Sequence, residues 1–154
     1  MLKKLFVVGM VLSLLFGCSS SPKQETANLD FEVSLTIDGS TERVLTSEDF
    51  NKMTFTEIEA TLKKKDGSET LIKAKGVLMS DLLTYLAVNP SALSVVALDG
   101  YEKEYDAGII SDEKTILAFF NDGSKLEDDG PIWLIAGNQS GNMWIKNLDK
   151  VVLP

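Results

Sequence analysis

The chemistry open to this chain is bounded first by two counts: it contains no histidine and a single cysteine, Cys18. Without imidazole there is no Ser-His-Asp or Cys-His nucleophilic machine, no zinc site of the usual nitrogen and sulfur type and no axial histidine for haem. One thiol excludes an intrachain disulfide framework. Gly137-Asn138-Gln139-Ser140-Gly141 superficially resembles a nucleophile elbow, yet its serine stands one place late and no histidine exists to activate it. That segment reads as a ligand loop or a turn. Asn121, Asp122, Glu127, Asp128 and Asp129 could attract calcium, but their spacing misses the EF-hand pattern and Lys125 sits among them. A solvated hairpin end is the simpler reading, and no metal is expected.

Cys18 is the residue whose surroundings specify a reaction. Lys3 and Lys4 precede an apolar run from Leu5 to Phe16, followed by Gly17 and Cys18, the order of a cleaved export signal over residues 1–17. The run is shorter than the roughly 20 residues that span a bilayer. Leu15-Phe16-Gly17-Cys18 resembles a lipobox, in which the thiol is alkylated by a diacylglycerol and becomes the new N-terminus. Phe16 is bulkier than the small or β-branched residue usual there. The expected product is an extracytoplasmic lipoprotein on the cell membrane, or on the periplasmic face of an outer membrane, for which Ser19 resembles the sorting signal. Several acyl chains anchor stably where one would not. The alternative is an unmodified cysteine in an ordinary signal peptide.

Loss of the leader takes the 15 basic residues to 13 against 23 acidic ones, and the net charge from −8 to −10. Such a surface does not attract nucleic acid or anionic lipid, so the acyl anchor would hold the protein at the membrane. Residues 18–29, rich in Ser, Pro, Lys, Gln and Thr, read as a polar tether. One domain over residues 30–154 follows, with enough apolar residues for a single core.

Within it Phe31, Val33, Leu35 and Ile37 alternate with polar residues, predicting a half-buried strand that ends at Asp38-Gly39. Ser47 with Glu48 and Asp49 predicts a helix start; Ile58, Ala60 and Leu62 predict a strand that Asp66-Gly67 turns onto Leu71 to Ala74. Ser80-Asp81 is the expected N-cap of a short helix stopping near Asn89-Pro90. Strands are expected at Leu93 to Leu98, Tyr101 to Tyr105, Ile116 to Phe120 and Ile132 to Ala136, with mixed strand character from Met143 to Leu153. The fold class is α+β, a β-rich mixed sheet core with a few short helices.

The order of motifs carries a resemblance. Gly76-Val77-Leu78, Asp81-Leu82-Leu83, Asp99-Gly100-Tyr101, Ile116-Leu117-Ala118-Phe119, Asp122-Gly123, Gly130-Pro131-Ile132-Trp133 and Trp144-Ile145-Lys146-Asn147-Leu148 resemble the sulfite oxidase-type molybdopterin-binding domain from about residue 55 onward. The resemblance implies a sulfite oxidase-like fold and a pocket for a pterin or molybdopterin-like ligand. Enzymes of the family supply their metal with a cysteine thiolate, which this domain lacks. Where they carry Gly-x-Lys-Trp, this chain has Gly141-Asn142-Met143-Trp144, so a lysine for the cofactor's phosphate is replaced by Met143. Both departures imply a standalone relative without the metalloenzyme chemistry.

A pterin is recognised by an aromatic ring on its face and by acceptors at its guanidine-like edge. Tyr101, Trp133 and Trp144 are the candidate faces. Asp99, Asp106, Asn138, Gln139 and Ser140 are the candidate edges, and Gly137 and Gly141 would admit backbone close to a ligand. Each has a plain alternative: Trp133 lies in an apolar run, and Asp99-Gly100 closes a turn. Three classes of function compete: a pterin-binding lipoprotein signalling to a membrane sensor or respiratory protein, a small molybdopterin-dependent oxidoreductase or its accessory subunit, and a structural or adaptor lipoprotein with a vestigial pocket.

Overall fold

The computed structural model describes residues 28–154; the expected leader and the lipidation of Cys18 lie outside the described residues. Ten strands assemble into two sheets. In the first, β1 (Ser34–Asp38) buries Leu35 and Ile37, as the alternation requires. It pairs antiparallel with β2 (Arg43–Thr46), whose end runs directly into the one-turn helix α1 (Ser47–Phe50). The strand predicted from Phe31 begins only at Ser34, because the preceding residues turn aside to bond with α1.

β3 (Thr56–Lys63) and β4 (Glu69–Leu78) form the long hairpin of the second sheet, with Glu59 opposite Lys73 and Lys63 opposite Glu69. Those pairs are closed by ion pairs of 3.6 and 3.3 Å. Helix α2 (Met79–Tyr85) continues from β4 with Leu78 as its N-cap, two residues before the expected cap at Ser80, so Ser80 and Asp81 fall in its first turn. It ends at Leu86, before the predicted stop. Ala87 takes a left-handed φ of +56°, and Ala87 and Val88 donate backbone hydrogen bonds to Thr84 and Leu83, 3.0 Å each, the helix-ending arrangement that usually employs glycine.

Strands β5 (Ala92–Ala97) and β6 (Glu102–Asp106) make the hairpin predicted around Asp99-Gly100, and helix α3 (Ala107–Ile110) follows. Strand β7 (Thr115–Asn121) is buried along most of its length. It carries β4 on one edge and, on the other, β8 (Ser124–Lys125) and β9 (Trp133–Ala136). A turn of 3-10 helix spans Gly141–Met143, and β10 (Leu148–Val152) enters the first sheet between β1 and β5, parallel to β1.

The segment between β9 and β10 joins the sheets. Leu134 and Ile145 exchange backbone hydrogen bonds of 2.7 and 2.9 Å, while Leu148 N–H reaches Ile132 and Leu98 N–H reaches Asn147. Asn147 makes the crossover at φ +50°. Gly130 packs so tightly beside it that a β-carbon would lie 2.2 Å from Asn147 Oδ1. One hydrophobic cluster draws on both sheets, with Phe119 placed 4.9 Å from Phe50 and 5.7 Å from Phe55 between ring centroids. The architecture is α+β and β-rich, its strands divided between two sheets. Among the described residues no helix is long and apolar enough to cross a membrane.

Candidate functional site

The segment Gly137–Trp144 is held against its neighbours by contacts of its own. Asn138 donates to both carboxylate oxygens of Asp112, at 3.0 and 2.9 Å; Gln139 N–H closes a turn onto Ala136; the Ser140 hydroxyl donates to the Asn142 side chain. Trp144 is buried and its indole N–H donates to Ala136 O at 2.9 Å. Gly137 and Gly141 do approach other atoms closely, but those atoms are protein. A β-carbon on Gly137 would meet Lys114 at 2.9 Å, and one on Gly141 would meet Leu62 at 2.6 Å. Protein atoms thus fill the side of each glycine on which a side chain would lie.

Tyr101 is brought to this loop. Its ring is 46% exposed and its hydroxyl donates to Asn142 O at 3.4 Å, with the Lys103 ammonium 5.9 Å from the ring centroid. Behind it Tyr105 is buried, its hydroxyl on Met143 O at 2.7 Å, and burial pushes its phenol above the usual range. Asp106 stands apart as the N-cap of α3, accepting from Ile109 N–H at 3.0 Å. Trp133 also stands apart. It is half-buried, bonds Asp129 O through its indole N–H at 3.0 Å and carries the Lys146 ammonium 4.4 Å from its ring centroid. Lys146 pairs in turn with Asp129, and Lys125 with Glu127 at 3.1 Å, so two of the acids weighed for calcium are ion-paired. Among the described residues no group of three or more His, Cys, Asp or Glu is placed to hold a metal ion.

A groove of about 970 Å³ opens elsewhere, between the segment Leu29–Ser34, the β2–α1 junction, Leu98, Pro131 and the start of β10. None of the seven candidates Tyr101, Asp106, Trp133, Asn138, Gln139, Ser140 and Trp144 lines it. One wall is a strap tied to α1. Ser47 Oγ accepts from Val33 N–H and donates to Phe31 O, both at 2.8 Å, and Asn51 accepts from Leu29 N–H at 2.7 Å. Leu29 is buried. Phe31 meets Phe120 edge-on at 5.7 Å.

The groove's charged residues are Asp30, Glu32, Glu48 and Asp149, with Ser34, Thr46, Ser47 and Asn147 adding neutral polar groups, and no lysine or arginine lines it. Leu29, Phe31, Leu98 and Pro131 supply its apolar surface. Sequence reasoning missed these residues because they come from five separate parts of the chain. The one local trace is Phe31 flanked by Asp30 and Glu32, an aromatic set between two acids. No protein-family model matches the chain, and neither does any curated protein.

Proposed function

We propose that this chain is a lipid-anchored, extracytoplasmic binding protein, a short relative of the sulfite oxidase-type molybdopterin-binding domains. It takes a pterin or pterin-like ligand without redox catalysis and passes its state to a membrane partner. The observation that carries the reading is the groove: about 970 Å³, at the upper end of the usual size for small-molecule sites, with apolar walls, four carboxylate side chains and no lysine or arginine among its lining residues, the Lys125 ammonium standing 6.0 Å from the Phe31 ring centroid. A guanidine-like ring edge donates hydrogen bonds to carboxylates, and a flat ring packs against Phe31 and Leu98. The β-rich mixed-sheet architecture agrees with the α+β class that the resemblance implies. With its only cysteine at position 18, the described domain has no thiolate for molybdenum, so no step is assigned to that metal.

Pterin fluorescence titrated with residues 19–154 tests this. Glu48→Gln and Phe31→Leu should each weaken binding about 5- to 20-fold, the worth of one charge-assisted hydrogen bond or one ring contact. Trp133→Phe should leave it unchanged. No binding by the unaltered protein would put the adaptor reading ahead.

A further inference from the structure

A second concavity, of about 460 Å³, lies between α2 and α3 and shares no residue with the groove. In a chain of which 25% of residues are charged, none of the residues lining this concavity is. Leu83, Val88 and Ile110 give it apolar walls, and Ser80, Thr84 and Ser111 bring hydroxyls to its rim. Two of those hydroxyls have already spent their protons. Thr84 donates to Ser80 O at 2.9 Å and Ser111 to Ala107 O at 2.7 Å, each within its own helix. A hydroxyl whose proton is so committed offers only lone pairs to a visitor. The wall at Val88 is fixed by the left-handed Ala87 (φ +56°) and the hydrogen bond from Val88 N–H to Leu83 O. Non-glycine backbone of this kind collects beside functional sites.

We propose that this concavity binds a small neutral molecule with an apolar body and a hydroxyl or N–H donor. An anion would lose its hydration with no lysine or arginine to replace it, the Ser80 hydroxyl and the Asn89 amide being the neutral donors there. A cation would lose its hydration with no carboxylate to replace it. A neutral donor satisfies both the rim and the walls, and the site works independently of the groove.

The test uses phenol as the probe and ¹⁵N-labelled residues 19–154, which contain the whole hydrophobic cluster, observed by NMR. Amide shifts at Leu83, Val88, Ile110 and Ser111 should saturate with an affinity of about 1–10 mM, within reach of a ligand of this size. Benzoate and benzylammonium should leave those amides unmoved. Thr84→Val combined with Ser111→Ala, which keeps shape and removes acceptors, should weaken phenol about fivefold or more. Val88→Asp, at a half-exposed wall position, should abolish binding while the rest of the spectrum stays native. Absence of saturable shifts up to about 20 mM, equal binding of benzoate, or unchanged affinity in the double variant would overturn the proposal.

Discussion

Trp144 and Tyr101 show how differently two aromatic side chains are spent on the same loop. The indole of Trp144 is buried and its N–H is satisfied by Ala136 O, so truncation opens a cavity and orphans a carbonyl. Trp144→Ala should cost about 3–5 kcal/mol in chemical denaturation. Tyr101→Ala, at an exposed ring with one long hydrogen bond, should cost under about 1 kcal/mol. Asp106 belongs with the structural residues: replacing it by Ala removes the cap of α3 and should lower stability by about 1 kcal/mol, with pterin binding untouched. Asn138, pinned to Asp112, shares one amide proton between the two carboxylate oxygens before any ligand arrives.

At the scale of elements, the junction of β2, α1 and α2 is held by one carboxylate. Asp49 accepts from Thr46 N–H at 3.1 Å and from Tyr85 hydroxyl at 2.8 Å, with Arg43 at 3.4 Å and Lys52 at 3.7 Å. The Thr46 N–H, then Tyr85, Lys52 and Arg43, hold its carboxyl below the usual value against a small opposing cost of burial. A carboxyl lowered in the folded state stabilises at pH above its unfolded value of about 3.9 and loses that contribution as pH falls through the folded value. Denaturation midpoints from pH 6 to pH 2 should therefore fall less steeply for Asp49→Asn than for the unaltered chain. Asp81, in the first turn of α2, is shifted the other way, raised by burial. Its ionisation opposes folding, so Asp81→Asn should gain stability relative to the parent as pH rises from the unfolded value of about 3.9 through the raised folded value. The end of α2 makes a further prediction. Ala87→Gly relieves a left-handed residue and should raise stability by about 1 kcal/mol, read from the same denaturation curves.

Across the whole molecule, what the sequence shows and what it hides divide by range. Alternation at Leu35 and Ile37, the Asp66-Gly67, Asp99-Gly100 and Asp122-Gly123 turns, and the buried run of β7 are local patterns, and each marks the element it predicts. Helix α2 starts two residues before the expected Ser80 cap because buried Met79 already belongs to it. Its end was missed because Ala at the left-handed position hides a signal normally written as Gly. The division into two sheets, and the parallel pairing of β1 with β10 across more than a hundred residues, leave no local trace. The groove is invisible for the same reason. Its carboxylates come from the strap, α1 and β10, and only tertiary pairing gathers them. By contrast, the polar segment Asn138–Ser140 is conspicuous in sequence, and its hydrogen bonds run to Ala136, Asn142 and the distant Asp112.

The strap gives the account its unity, since Leu29–Ser34 is at once a wall of the groove, a partner of α1 and the chain that leads back toward Cys18. The measurement that tests the account most directly is native mass spectrometry with metal analysis on residues 19–154, produced in a host that makes pterins. The account predicts a protein mass increased by one pterin, with no molybdenum, and loss of that increment in Glu48→Gln. Stoichiometric molybdenum, or a protein that carries no pterin and takes up none when it is added, would contradict it.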